Sequence, residues 1–298
     1  MWEVVAAKPG NVNRSCDFED LHLVDFLSAG ITVGQTLAEH QRHPQGLGKL
    51  VLEMVRNSKS VCQSNANLGI ALLFGPLGNA AIHLLQTQSA VASPDHLQQA
   101  CQEVISNAEV ADTRLIYQAI NLAQPGGMGK VSESDLADAG SLSVFDTPEA
   151  VMKRAAERDL IALEYATGFS TTFQQTLPQL LQFQAMGYPL QWSIIGTTIF
   201  LLGQAPDSLI HRKLGSEAAK SVQNQALQVG NGWWGRSLPD WNEFRENFWQ
   251  SISDDLADFD FHLRSDGHRR NPGTTADLIA AGLFAGLVSG AISPSSRW

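Results

Sequence analysis

The fold class is decided by residues 147–168, which read TPEAVMKRAAERDLIALEYATG. Thr147 is a capping residue, Pro148 stands at the first helical position, and Glu149 adds an acid to the first turn. This combination favours the start of a helix, because each residue suits the unpaired N–H groups found there. Gly168 is a residue type that commonly follows a helix end. The stretch therefore predicts one helix that runs to Gly168.

The same helix signals recur along the chain. Ser93-Pro94-Asp95 repeats the start and predicts a helix to about Asn107, and residues 132–135 offer a weaker acidic start. Apolar residues return at helical spacing over residues 21–31 and 47–55. Long alternating runs of β-branched and polar residues, which would indicate strands, are missing. The sequence predicts an all-α fold with a single multi-helix domain, residues 1–298.

Polar loops are expected between the helices, at residues 9–17, 41–46, 124–130, 203–208, 230–239 and 265–274. The segment 230–239 is rich in Gly and Trp, and we expect it to be either a late domain boundary or a lid over a site. The nearby Trp residues are expected to serve a core, a lid or the interface of a homodimer: Trp233, Trp234, Trp241 and Trp249.

The charge of the chain limits its partners. The 298 residues carry 20 Lys and Arg against 30 Asp and Glu, a net charge of −10. This excess disfavours nucleic acid and anionic membrane surfaces, so we expect neither as a partner. The apolar segments 190–202 and 278–292 fall short of the roughly 20 residues that span a bilayer. Three cysteines without a CxxC pair, and an N-terminus without signal-peptide features, predict a cytoplasmic location.

Several common motifs are excluded. Residues 125–131 resemble a P-loop, but Gln124 stands where Walker A needs Gly, and Val131 stands where it needs Ser or Thr. Gly46-Leu47-Gly48 lacks the third glycine of a dinucleotide fingerprint. The chain contains no HExxH, no G-x-S-x-G and no Cys/His spacing for zinc. These absences argue against zinc and acyl-serine chemistry.

Five polar blocks remain as candidates for a site. Residues 8–14 place two cations and two amides in one turn, residues 64–69 lead amides into an apolar helix, and residues 207–213 combine an acid, a base and a cation. Residues 269–277 form another cation-bearing turn, and residues 158–165 put charged groups on an otherwise apolar helix. A solvated loop, an ordinary Asn cap, a surface helix and a buried salt bridge are the structural alternatives.

These blocks, in this order, resemble the triphosphoribosyl-dephospho-CoA synthase family. Residues 8–14 (KPGNVNR) resemble its opening K-P-G-x-V-x-R, and residues 158–169 (RDLIALEYATGF) resemble its R-D-x-I-A-x-E-Y-x-x-x-F helix. Residues 207–212 (DSLIHR) resemble D-[ST]-x-[IL]-x-R, and residues 271–278 (NPGTTADL) resemble N-P-G-[ST]-x-A-D-L. The resemblance touches nearly the whole chain.

One block departs from the family pattern. Members that act on citrate lyase or malonate decarboxylase prosthetic groups carry G-G-V-N-T-H-[KR]-G, whereas residues 63–69 read QSNANLG. Asn65 and Gly69 are kept, but Asn67-Leu68 replaces the His-Lys pair. The chain looks more similar to a divergent branch from organisms that use methanopterin-type one-carbon chemistry, with the same N-x-N-L-G form.

The resemblance implies an all-α transferase that moves the 5-triphosphoribosyl unit of ATP to the 2′-hydroxyl of 3′-dephospho-CoA, or of a related nucleotide acceptor, and releases adenine. Such a glycosyl transfer needs a base, a donor to the leaving group and neutralisation of the triphosphate, for which Mg²⁺ is the expected cofactor. The implied alternatives are a related ATP-dependent step in making a one-carbon carrier cofactor, and a non-catalytic nucleotide-binding protein.

The resemblance also assigns roles to residues. Catalytic groups are expected at Asp17, Asp159, Glu164, Asp207 and His211. Contacts to ATP or substrate are expected at Lys8, Arg14, Asn65, Asn67, Gly69, Arg212, Arg270, Asn271 and Gly273. Metal ligands are expected at Glu19, Asp20 and Asp207.

Overall fold

The computed structural model describes residues 1–62, 67–88, 90–123, 145–235 and 237–298. Over these residues the chain forms one all-α domain, in which β1 (Ser265–His268) is the single short strand. Two π-helical turns, Thr172–Thr176 and Phe244–Phe248, precede α9 and α14. The helices in chain order are α1 (Trp2–Val5), α2 (Leu23–Arg42), α3 (Leu47–Val61), α4 (Leu68–Gln88), α5 (Pro94–Ser106), α6 (Val110–Ala123), α7 (Pro148–Ala155), α8 (Leu160–Thr167), α9 (Leu177–Ala185), α10 (Leu190–Gln204), α11 (Ser208–Leu214), α12 (Ser216–Trp234), α13 (Trp241–Glu243), α14 (Trp249–Arg264) and α15 (Gly273–Val288).

The predicted helix starts at Thr147 and Ser93 are confirmed. The Thr147 hydroxyl accepts the N–H of Ala150 at 3.4 Å, and the Ser93 hydroxyl accepts the N–H of His96 at 3.2 Å. The prediction of one helix to Gly168 is wrong, because α7 ends at Ala155 and α8 begins at Leu160. The carboxylate at residue 159 binds free N–H groups of the second helix, so this residue begins a helix and does not lie inside one.

The larger apolar core surrounds α4 and α15, which pack against each other. By length and composition α4 could cross a membrane, and α10 with α11 could do so only as one span bent by 57°. The candidate membrane-spanning segments identified from the sequence lie in the regions of α10 and α15 and do not include α4. Since 61 % of the apolar stretch of α4 is buried inside the fold, the domain core accounts for its composition.

A second core consists of aromatic side chains, and it corrects the prediction of a loop at residues 230–239. Helix α12 continues to Trp234, and Trp233 is 1 % exposed and stacks on Phe244 with ring centroids 4.8 Å apart. Trp241 also stacks on Phe244, and Trp249 is partly exposed at the edge of the cluster. Burial of these rings favours helix over loop, so the expected lid and domain boundary at residues 230–234 are wrong.

Candidate functional site

The beginnings of α8 and α11 are joined by an ion pair. One carboxylate oxygen of Asp159 accepts the N–H groups of Ile161 at 2.8 Å and Ala162 at 3.1 Å. Its other oxygen accepts Nη1 of Arg212 at 2.5 Å. The Arg212 side chain is 29 % exposed, so the pair lies at the edge of the core. The Nε–H of Arg212 has no hydrogen-bond partner within the described residues.

Asp207 joins the beginning of α11 to the first turn of α15. It is 1 % exposed, and one oxygen accepts the N–H groups of Leu209 at 2.9 Å and Ile210 at 3.1 Å. The other oxygen accepts the N–H and the hydroxyl of Thr275, both at 2.8 Å. Desolvation raises the pKa of Asp207, and these donors act in the opposite direction. The carboxylate therefore has donors on both oxygens and is directed into the protein.

Two further contacts bring the same helix ends together. The Ser208 hydroxyl accepts the N–H of Leu160 at 3.3 Å and donates to the hydroxyl of Thr274 at 3.0 Å. A side chain on Gly273 would clash with Leu209, because its Cβ would lie 2.6 Å from Leu209 Cδ2. Three blocks that are far apart in sequence thus meet at the N-terminal ends of α8, α11 and α15.

The block at residues 8–14 packs against α14 and against the residues just before α15. Lys8 is fully buried and forms an ion pair with Glu3 at 2.7 Å. The Asn11 amide donates to Asn271 Oδ1 at 2.6 Å, while Asn11 Oδ1 has no partner within the described part of the chain. Gly10 has φ +74°, and a Cβ there would lie 2.8 Å from Leu263. This turn therefore requires glycine for both its conformation and its packing.

The first turn of α4 lies against Asp277 of α15. Asn67 begins this helix, since its carbonyl accepts the N–H of Ala71 at 2.8 Å, and its amide donates to the Ser58 hydroxyl at 3.4 Å. A Cβ on Gly69 would lie 1.9 Å from Asp277 Oδ2. The absence of a side chain at residue 69 is thus what allows the Asp277 carboxylate to lie against α4.

Asp277 itself differs from the other carboxylates of the site. Across the described ranges its carboxylate makes no hydrogen bond and no ion pair. Burial raises the pKa of Asp277 well above its ordinary value, the charges of Glu3 and Asp207 raise it further, and Arg212 lowers it. Asp277 lies within the N-P-G-T-T-A-D-L motif but is not among the site residues predicted from the sequence. Its place in that block was the signal that it belongs to the site.

Cations border this acidic centre. Desolvation lowers the pKa of Lys213. The charges of Asp207 and Asp20 raise this pKa, and those of Arg212 and Arg269 lower it. The Lys213 ammonium donates to the His268 carbonyl at 3.2 Å and makes no ion pair with the carboxylates that the structure describes. Lys213 follows directly after Arg212 in the block 207–213, and this position indicates that it belongs to the site, although it is not among the predicted site residues.

Other predicted site residues lie at the surface beside this centre. Asp17 accepts the N–H of Leu23 at 2.7 Å at the start of α2, and Asp20 Oδ1 accepts from His268 Nδ1 at 2.8 Å. Arg270 donates to the Ser265 hydroxyl at 2.9 Å. Exposed side chains without a hydrogen bond or ion pair to the described residues are those of Arg14, Glu19 and His211. Asn65, the predicted loop at 124–130 and the predicted helix start at 132–135 lie outside the described residues.

Glu164 lies in the core and is turned toward the chain that follows α8. Its carboxylate accepts the N–H groups of Thr171 at 2.8 Å and Thr172 at 2.9 Å, and the Thr172 hydroxyl at 2.5 Å. Burial raises the pKa of Glu164, and these donors lower it. All hydrogen bonds of its carboxylate in the described structure come from Thr171 and Thr172, where the π-helical turn begins, so its geometry is that of a local structural anchor.

The predicted metal ligands do not come together. No group of three His, Cys, Asp or Glu side chains among the described residues is arranged to hold a metal ion. Asp207 uses both oxygens on backbone and hydroxyl donors, and Asp20 contacts His268. These residues therefore do not fit a resident magnesium site made from protein ligands alone.

The assembled centre has a definite electrostatic character. Its inner part holds four carboxylates, from Glu3, Asp159, Asp207 and Asp277, and two cations, from Lys8 and Arg212. Such surroundings stabilise positive charge that develops on a bound molecule. The basic side chains of Arg14, Lys213, Arg269 and Arg270 lie outside this inner group and are suited to anions.

Comparisons with known proteins agree with the resemblance. A family model described as ATP:dephospho-CoA triphosphoribosyl transferase matches residues 1–295. The chain is also similar to a solved structure from Archaeoglobus fulgidus, provisionally described as a triphosphoribosyl-dephospho-CoA synthase. The two share 21 % identity with a TM-score of 0.62, over 89 % of this chain and 99 % of the other, which supports a common fold. No curated protein matches the sequence significantly.

Proposed function

This chain belongs to the ATP:dephospho-CoA triphosphoribosyl transferase family, and from this premise we propose that the centre at α4, α8, α11 and α15 carries out the family's reaction. The chain is a transferase that uses ATP. Its reaction moves the 5-triphosphoribosyl unit of ATP to the 2′-hydroxyl of 3′-dephospho-CoA and releases adenine. A step in making a one-carbon carrier and a non-catalytic binding role are not favoured by the family match.

One observation supports placing the reaction here. Residues 158–169, 207–212 and 271–278, which carry the family motifs, are distant in sequence, yet direct side-chain contacts bring them together. The 8–14 block joins them through Asn11 and Asn271. A reaction that needs several exact contacts to one nucleotide requires such convergence from separate parts of the chain.

The charge distribution fits the two halves of the substrate differently. Loss of adenine leaves positive charge on the ribose, in an oxocarbenium-like transition state. The inner carboxylates suit this charge, so we assign the ribose to the region of Asp159 and Asp277. The triphosphate is then assigned to the outer cations Arg14, Lys213 and Arg270, with Arg212 between the two regions.

Roles for the remaining predicted residues follow from their contacts. Asp159 positions Arg212, Asp207 positions α11 on α15, and Lys8 with Glu3 supports the 8–14 turn. Glu164 supports the turn after α8. Asn67, Gly69, Asn271 and Gly273 shape the wall of the site, while His211 and Asp17 remain proposed contacts at its edge.

Magnesium is proposed as part of the substrate. ATP is bound by proteins with a Mg²⁺ ion on its phosphates, and this ion keeps several waters and takes few protein ligands. This view suits a chain whose described carboxylates do not form a metal site. Glu19 and Asp20 then act, at most, through water on the ion that ATP carries.

The proposed setting is the cytoplasm, where ATP and CoA precursors are available. The acidic net charge supports small-molecule substrates in preference to nucleic acid or membrane lipid. A homodimer remains our proposal for the assembly. Sedimentation of the purified protein tests it, with a mass of twice 32.3 kDa expected.

Adenine release tests the proposed reaction directly. Purified protein is incubated with Mg·ATP and dephospho-CoA, and the products are separated and weighed by mass spectrometry. Free adenine and a product containing the triphosphoribosyl unit are expected in equal amounts. The matched control is the same reaction with an acceptor that lacks the 2′-hydroxyl. This reaction must give neither adenine nor the triphosphoribosyl product. Release of ADP without adenine would contradict the proposal.

A further inference from the structure

Most carboxylates in the motif blocks already accept three or four hydrogen bonds, which stabilise the charged form and make them weaker bases. Asp207 and Glu164 have donors on both oxygens. Asp159 has two N–H donors on one oxygen and Arg212 on the other. A hydroxyl that binds to Asp207 must displace an existing donor, at a cost of about 1–3 kcal/mol for the group left unpaired, whereas Asp159 and Glu164 each keep one lone pair beside three donors.

Asp277 is the exception among the acids of these blocks. Within the described residues its carboxylate accepts no hydrogen bond and makes no ion pair, although α15 packs against α1, α4 and α11. Its carboxylate lies where a Cβ of Gly69 would stand, with Oδ2 only 1.9 Å from that position. The side chain is thus confined on one side while its lone pairs remain unoccupied.

We infer that Asp277 is the general base that receives the proton of the acceptor hydroxyl. This inference deepens the proposed function and rests on it. Asp277 contacts the reacting hydroxyl itself, whereas Asp159 and Asp207 position their helices. Gly69 acts as a positioning residue, because it leaves space for the Asp277 carboxylate beside α4.

The step balances in atoms and charge. The O–H bond of the acceptor breaks and its proton passes to Asp277. The oxygen forms a bond to C1′ of the ribose of ATP, the bond from C1′ to adenine breaks, and adenine leaves with that electron pair. Adenine takes a proton from water, and Asp277 returns its proton to water. No oxidant or further reactant is required.

The environment of Asp277 raises its affinity for a proton, which suits a general base. Burial raises its pKa, as do the negative charges of Glu3, Asp207 and Asp159, while Arg212 lowers it. Lys8 is already paired with Glu3. A carboxylate with a raised pKa accepts a proton from a hydroxyl more readily than an ordinary surface carboxylate.

The test compares full-length wild-type protein with Asp277→Asn in the adenine-release assay across pH. Loss of a general base lowers kcat by about 10²–10⁴-fold. We expect this loss in Asp277→Asn without a change in the Kd of ATP, because asparagine keeps the shape of the side chain. Wild-type kcat/KM should fall as the pH is lowered through the pKa of Asp277, and the variant should lack this decrease. The control Asp95→Asn changes an exposed carboxylate of α5 and should behave as wild type.

A second variant separates position from chemistry. Gly69→Ala keeps the carboxylate but forces it to move, so kcat should fall while the decrease at low pH remains. Asp277→Asn with a kcat within about tenfold of wild type, or with the wild-type pH profile, would overturn the assignment while leaving the proposed function intact. Absence of adenine release by the wild-type protein would overturn the proposed function, and this inference with it.

Discussion

The strongest stability prediction concerns Asp207, which the structure makes a link between α11 and α15. Asp207→Ala removes the cap of α11, which costs about 1 kcal/mol. It also leaves the N–H and hydroxyl of Thr275 without their acceptor, and Thr275 is only 2 % exposed. An unpaired buried donor costs about 1–3 kcal/mol. Because two donors are left unpaired, we expect a loss of about 3–7 kcal/mol in the free energy of unfolding, a large part of the roughly 5–15 kcal/mol typical of proteins.

Urea denaturation measures this loss as a lower transition midpoint with an unchanged slope. Thr275→Val is the matched control, because it removes one of the four hydrogen bonds and should cost about 1 kcal/mol. The double variant should be less destabilised than the sum of the two single variants, since both act on the same contact. If Asp207→Ala unfolds at the wild-type urea concentration yet releases no adenine, then Asp207 acts in the chemistry and its assignment as a positioning residue is wrong.

Three further predictions follow from the same contacts. Arg212→Lys should lower kcat/KM for ATP by about 10-fold or more, because a lysine cannot both pair with Asp159 and present the second donor of a guanidinium. Steady-state kinetics measure this ratio, and an unchanged kcat/KM would show that Arg212 does not belong to the site. Lys213→Met should raise the KM for ATP more at low than at high salt and leave the melting temperature unchanged, whereas an unchanged KM would place the triphosphate elsewhere. Asp277→Asn should melt above wild type at neutral pH. The folded pKa of Asp277 is raised, so its ionisation destabilises the fold as pH rises above the ordinary Asp value. The difference between the two proteins should vanish below about pH 3, where the carboxyl is neutral in both states.

Helix starts could be predicted from sequence where a side chain caps its own helix. Thr147 and Ser93 bind N–H groups three residues ahead, and such local contacts are visible in a short stretch of sequence. The break at Asp159 was missed, because the residues around it are good helix formers and the capping contact competes with helix continuation. The helix through Trp233 was missed because its stability comes from aromatic packing against distant residues such as Phe244.

The membership of the site could be predicted from motif blocks, but the roles within it could not. Asp207 and Glu164 satisfy any sequence criterion for a catalytic acid, and only their hydrogen-bond partners show that their oxygens are occupied. Conversely, two features distinguish Asp277: its carboxylate has no hydrogen-bond donor among the described residues, and it lies against Gly69, about 200 residues earlier in the chain. Sequence spacing reveals neither feature.

The location of the bound nucleotide is the decisive test of the site proposed at the converging ends of α8, α11 and α15. Photo-crosslinking with an azido analogue of ATP, followed by peptide mapping, should label peptides from residues 207–214 or 269–277, and excess ATP should prevent this labelling. A polar groove between α2 and α3, lined by Glu39, His40, Lys49 and Asn57, is the competing location. ATP-sensitive labelling at that groove, with none at α11 or α15, would contradict the placement of the reaction at the converging helix ends.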